Sequence, residues 1–134
     1  MTTASFTIPM RPKAKSRPRF KGRRAFTDPA QRKWEAELKE RVRLLFESKP
    51  WEKKVGLWIE FYFSSKKRQK GCDGVCDCET YRAKKPDLDN LVKSVKDALN
   101  GVLYLDDRQV VSLTSSKYDS CSERIIINAR EYEE

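Results

Sequence analysis

The sequence predicts an α+β fold: a mixed β-sheet of about four strands with two main helices packed on it, forming a single domain over residues 1–134. Short alternating apolar runs bracket two stretches of helical periodicity, in the order strand, helix, strand, helix, strand, strand. No internal repeat or linker divides the chain. Its 134 residues, 38% of them hydrophobic, leave room for one modest core.

The first strand is expected over 5–9, where Phe6 and Ile8 alternate with polar neighbours. A basic loop, RPKAKSRPRFKGRR, follows over 11–24. Its prolines and glycine discourage regular structure, and Phe20 and Phe26 interleave rings with charge. Asp28 and Pro29 suit a helix entry, an N-cap followed by a proline whose missing N–H costs nothing in the first turn. Trp34, Leu38, Val42 and Leu45 continue that helix to about Glu47 as core scaffold, and Trp34 is read as packing rather than as a base-stacking platform. The clearest strand covers 55–63, apolar on both faces and therefore central. Leu91, Val92, Val95, Leu99 and Val102 mark a second helix beginning at Asn90, with Gly101 as its stop. Strands over 109–117 and 124–130 follow, separated by Tyr118, Asp119 and Ser120 in an expected hairpin turn.

Lys and Arg number 29 against 20 Asp and Glu, a formal charge of +9. The balance points to a polyanionic partner, and the loop over 11–24 reads as a DNA-contacting arm, with Lys15, Arg17 and Arg19 as its contacts, rather than ordinary solvated surface. No apolar run approaches the roughly 18 residues that cross a bilayer, and the N-terminus lacks a signal-peptide apolar region. The expected location is the cytoplasm, that of a host cell if the chain is phage- or prophage-encoded, with no membrane partner.

Into this basic chain the segment 84–107, KKPDLDNLVKSVKDALNGVLYLDD, sets two clusters of aspartate. Asp87 and Asp89 flank Leu88, so an extended segment would turn both carboxylates to one side. The short helix after them could return a third carboxylate, from Asp106 or Asp107. Converging carboxylates raise one another's pKa unless a cation sits among them. Hard oxygen donors suit Mg²⁺ and phosphate chemistry. Taken singly these residues have plainer readings: Asp89 or Asn90 as a cap, Asp89 with Lys93 as an i,i+4 pair, Asp106 and Asp107 as turn residues.

The full set is more specific. Asp87-Leu88-Asp89-Asn90-Leu91, Lys93, Asp97-Ala98-Leu99, and Leu105-Asp106-Asp107 with Gln109-Val110-Val111 resemble the signature of the RusA family of Holliday junction resolvases. The resemblance implies a RusA-like fold, metal binding and catalysis by Asp87, Asp89 and Asp107, and a further catalytic role for Lys93. It also implies Mg²⁺, replaceable by Mn²⁺, as cofactor, no small-molecule cofactor, a homodimer, and branched DNA, the four-way junction, as substrate. Asp97 and Asp106 are left as supporting residues. Where the bacterial prototype carries a basic residue before the first aspartate, Pro86 stands here, so basic contact with DNA is assigned to Lys84 and Lys85.

Cys72, Cys76 and Cys78 crowd one segment and Cys121 lies far from them in sequence. In a cytosolic chain this argues against a disulfide framework. A structural Zn²⁺ on Cys72, Cys76 and Cys78, with Cys121, an acidic side chain or a partner subunit as fourth ligand, is weighed against free thiols; the spacing is not a standard zinc one, and free thiols are preferred. The complete absence of histidine excludes a His-based nuclease and a Ser-His-Asp hydrolase. A non-catalytic basic DNA-binding module and a zinc-stabilised interaction protein remain as rival classes.

Overall fold

In the computed structural model, residues 2–16, 19–26, 28–64 and 79–133 are described. The main sheet has five strands in the order β1 (Thr2–Ile8), β7 (Arg124–Glu131), β4 (Val55–Ser64), β6 (Val110–Ser120) and β5 (Thr80–Tyr81). β2 (Arg19–Lys21) and β3 (Arg24–Phe26) form a separate hairpin. Helices α1 (Pro29–Leu45) and α2 (Leu88–Leu99) complete the fold, with a single 3-10 turn at Asp107–Gln109 leading into β6. This is the mixed α+β sheet that the sequence predicts, with one more strand in the sheet.

β4 holds the centre, parallel to β6 and antiparallel to β7. Its Val55, Leu57, Ile59, Phe61 and Phe63 are buried against Leu38 and Val42 of α1 and Leu91, Val95 and Leu99 of α2 in one core cluster. The opposite face carries no helix among the described residues. Trp58 stands there 54% exposed, and Tyr62, Tyr118 and Tyr81 stack in turn across β4, β6 and β5 at 4.9 and 5.1 Å between ring centroids.

Four local expectations are corrected. Tyr118, Asp119 and Ser120 belong to β6 rather than to a turn, and β6 and β7 form no hairpin, because β4 lies between them. Their connection, residues 121–123, crosses two strand spacings, about 9.6 Å, and four Cα steps can span about 14 Å. The arm is not wholly irregular: Gly22 at φ 66° starts a two-residue turn that closes the β2–β3 hairpin. Arg23 has no positive φ, which makes the turn type II′, whose twist suits antiparallel strands. Leu45 is exposed and does not join the α1 stripe, whose buried positions are Gln31, Leu38 and Val42. Finally, Cys121 is disulfide-bonded, against the sequence argument for free thiols. The zinc assignment to Cys72, Cys76 and Cys78 lies outside the described residues, but Cys121 is not free to serve it.

Phe61 is fully buried at the centre of the core, so Phe61→Ala is expected to cost about 3–5 kcal/mol in urea unfolding. Trp58→Ala, on the open face, should cost less than about half of that.

Candidate active site

α2 begins two residues earlier than its apolar stripe suggests. Leu88 is the first helical residue and Asp87 the N-cap, whose carbonyl accepts from the Leu91 amide at 3.2 Å. Asp87 and Asp89 therefore do not share one side of an extended segment. Asp89 instead heads a helical face with Lys93, Lys96 and Asp97, at the three- and four-residue steps that align side chains on a helix. The stripe Leu91, Val92, Val95 and Leu99 is buried beneath that face.

Asp107 reaches the same place from the other side. The return segment is held against α2 by Tyr104, which is fully buried and donates its hydroxyl to the Lys96 carbonyl at 2.8 Å. It is held against the stretch before β4 by the Trp51 amide, which donates to Leu103 at 2.8 Å, and by the Leu105 amide, which donates to Trp51 at 3.3 Å. Asp106 then caps the 3-10 turn: its carboxylate accepts from the Arg108 amide at 3.0 Å, and the Gln109 side chain accepts from the Asp106 amide at 2.9 Å. Gln109 also donates to the carbonyls of Trp51 and Lys53. With Asp106 occupied as a cap, Asp107 lines a cleft of about 800 Å³ with Asp89, Asn90, Lys93, Lys96, Asp97 and Ser115.

The charges in this cleft are unequal. Burial and a hydrogen bond with Asp106 raise the Asp107 carboxyl above the usual carboxylate range, against the pull of Lys96. The Arg108 amide and the same bond to Asp107 lower Asp106. Among the described residues, no three acidic or sulfur side chains are close enough to enclose a metal ion. Asp87 does not line the cleft; Asp89 and Asp107 do. One or two carboxylates at an open, polar cleft fit Mg²⁺, which keeps several waters and takes substrate phosphates as ligands, better than an ion needing an all-protein cage.

The segment before Asp87 is pinned through its backbone. Lys117 donates its ammonium to the carbonyls of Lys84 and Pro86 at 2.9 and 2.7 Å. Arg82 donates to the Lys85 carbonyl at 2.8 Å and pairs with Asp119 at 2.6 Å while lying over the Phe63 ring. The side chains of Lys84 and Lys85 are left exposed beside Asp87. Lys96, Arg82 and Lys117 did not figure in the sequence reading. Lys96 was detectable from its seven-residue step from Asp89, whereas nothing local marks Arg82 or Lys117.

Lys15 is not turned outward with the arm. Its ammonium sits between Glu35 of α1 at 2.7 Å and Asp97 of α2 at 3.1 Å, with 22% of its side chain exposed, and its amide donates to the Asn90 carbonyl at 2.9 Å. Gln31, fully buried, extends this cluster by donating to Glu35 and to Ser94. Arg19 lies in β2, and Arg17 lies outside the described residues.

Comparison with known proteins places the chain. The family model for Endodeoxyribonuclease RusA matches residues 9–130, and the chain belongs to that family. It is also 47% identical over 68 residues to the uncharacterized protein YqaN of Bacillus subtilis (strain 168), a match over 51% of this chain and 45% of that protein. The chain thus aligns with less than half the length of this curated relative.

Burial pulls the Lys15 ammonium down, but its bonds to Glu35 and Asp97 outweigh that and hold its pKa above the ordinary 10.5. The Lys15 ammonium is therefore charged through the neutral range, and the stability that its raised pKa contributes is lost as pH rises through the raised value. Lys15→Met is expected to lower unfolding free energy at pH 7 by about 1–3 kcal/mol. Adding Asp97→Asn should cost less than the sum of the two single changes, which a double-mutant cycle in urea would measure.

Proposed function

We propose that this chain is a Mg²⁺-dependent endodeoxyribonuclease that resolves four-way DNA junctions by phosphodiester hydrolysis in recombination and repair. The supporting observation is the meeting of Asp89 and Lys93 from α2 with Asp107 from the β6 entry in one open cleft, in a chain of the RusA endodeoxyribonuclease family.

Asp89 and Asp107, with Asp87 at the helix entry, would hold Mg²⁺ or Mn²⁺. When bound, the ion supplies a more acidic water and a charge opposite the scissile phosphate. Lys93, one helical turn from Asp89, lines the same cleft, where it would hold a phosphate oxygen on which negative charge builds. Lys84 and Lys85, exposed on a segment whose backbone is fixed, would grip the phosphates that follow. Arg17 and Arg19, as read from the sequence, would extend this contact along the arm, which Lys15 anchors. Because the junction has near two-fold symmetry, a C₂ homodimer with one cleft per subunit would cut two opposed strands.

The test is a nicking assay on a synthetic four-way junction with and without Mg²⁺. Cleavage that needs the ion is expected. Asp87→Asn, Asp89→Asn and Asp107→Asn should each abolish it while junction binding persists, since each removes an oxygen ligand and no cation. Near-normal cleavage by any one of them would remove that residue from the metal site. Lys93→Ala should slow cleavage by roughly 100-fold; turnover close to wild type would leave Lys93 as a surface ion-pair residue. Binding unaffected by the ion, with no cutting at all, would leave a DNA-binding module. Sedimentation of the junction complex should find two chains per junction.

A further inference from the structure

Phe20 is 71% exposed on β2, whereas Phe6, Phe61 and Phe63 of the main sheet are buried in the core. A single exposed ring is ordinary, but the surroundings of this one are not. In the hairpin Phe20 lies directly opposite Ala25, and Lys21 directly opposite Arg24. Alternation along a strand therefore puts Phe20 and Ala25 on one face and Lys21, Arg24 and Phe26 on the other. Like charges directly opposite one another destabilise a pair of strands, and Arg23 in the turn adds a third cation. A hairpin of two three-residue strands has little stability of its own with which to offset that repulsion. An anion between Lys21 and Arg24 relieves it.

The hairpin also has a fixed origin. Lys15, four positions before Arg19, is tied to α2 through its amide on Asn90 and its ammonium on Asp97, and Pro29, three positions after Phe26, opens α1. Phe20 is five positions from Lys15, so its Cα stands within roughly 18 Å of the Lys15 Cα, which is tied to the helix that carries Asp89 and Lys93. That is about half a turn of duplex DNA.

We propose that the β2–β3 hairpin is a wedge for the branch point of DNA: Phe20 stacks on a base exposed where the arms diverge, while Lys21, Arg23 and Arg24 hold the phosphates of the separating strands. A linear duplex offers the cations the same phosphates but offers the ring no open base face. The wedge therefore contributes selectivity for branched DNA rather than affinity for DNA in general. Every base has a π-face, so this contact is tolerant of sequence. The inference rests on the junction reading of the cleft.

The experiment compares the whole chain with Phe20→Ala and Phe20→Trp, using a synthetic four-way junction with 2-aminopurine at the branch point and a linear duplex of the same arm sequence, with Ca²⁺ in place of Mg²⁺. The expected result is a junction-over-duplex affinity ratio roughly 10-fold or more lower in Phe20→Ala. Duplex affinity and the unfolding midpoint should stay as in wild type, the 2-aminopurine signal should be lost, and Phe20→Trp should recover both ratio and signal. A ratio unchanged in Phe20→Ala overturns the wedge while leaving the junction reading standing. Equal losses on junction and duplex, not recovered by Trp, also overturn it, since the hairpin would then be a general DNA contact. Loss of self-association in Phe20→Ala, seen by sedimentation, would assign the ring to a second copy of the chain and overturn it too. A wild-type chain with no preference for the junction removes the junction reading and the wedge together.

Discussion

β6 and β7 are joined by three residues, yet β4 lies between them and pairs with both. Since β4 and β6 are parallel, the chain leaving β4 at one end must return to the opposite end before β6 can begin. The return path carries α2, and it is this obligatory crossover that lays the helix along β6. The N-terminal half of α2 and the entry to β6 then face each other across a cleft. The carboxylates of Asp89 and Asp107, eighteen positions apart in the chain, become neighbours for a topological reason.

The two helices meet partly through polar groups. An apolar seam would pack α1 on α2 equally well, but Gln31, Glu35, Lys15, Asp97 and Ser94 build a bonded cluster there instead. Buried polar contacts are more demanding of geometry than apolar ones, because each group left unpaired costs free energy. The cluster thus fixes where α2 sits relative to α1 and, through Lys15, where the basic arm leaves the body. Lys15 thereby ties three segments together at once, the arm, α1 and α2.

Much of this was legible in the sequence where periodicity is strong. Leu91, Val92, Val95 and Leu99 read as one helix face and are buried as one, while Val102, also buried, lies beyond the helix end, and Val55 to Phe63 reads as the central strand that it is. The pairing of strands was not legible. Tyr118-Asp119-Ser120 has the composition of a turn, and only the insertion of β4 between β6 and β7, a contact distant in sequence, makes it strand. Composition hid the β2–β3 hairpin for the opposite reason, since its cations resemble solvated loop. At the cleft, the motif residues of the family resemblance include Asp89, Lys93 and Asp107, which line it, and Asp87, which does not. They could not reveal that Lys15 faces inward, because its partners come from two helices far along the chain, or that Lys117 and Arg82 hold the segment before Asp87.

The bulge at the start of β6 bears on how this fold can vary. Val55 pairs with Val110 but Gly56 with Ser112, so Val111 is one residue too many for the ladder. That extra residue reverses the alternation of β6, so that Leu113 and Ser115 line the cleft and Ser112 and Thr114 the open face. Point changes along β6 alter one side chain at a time, whereas gain or loss of one residue between Asp107 and Ser112 would exchange the faces or shift Asp107 by about one strand step, roughly 3.4 Å. Descendants of this chain can therefore diverge freely in the identity of these residues but not in their number, and the distance from the Leu105-Asp106-Asp107 motif to Ser115 is expected to be conserved more strictly than the residues that fill it.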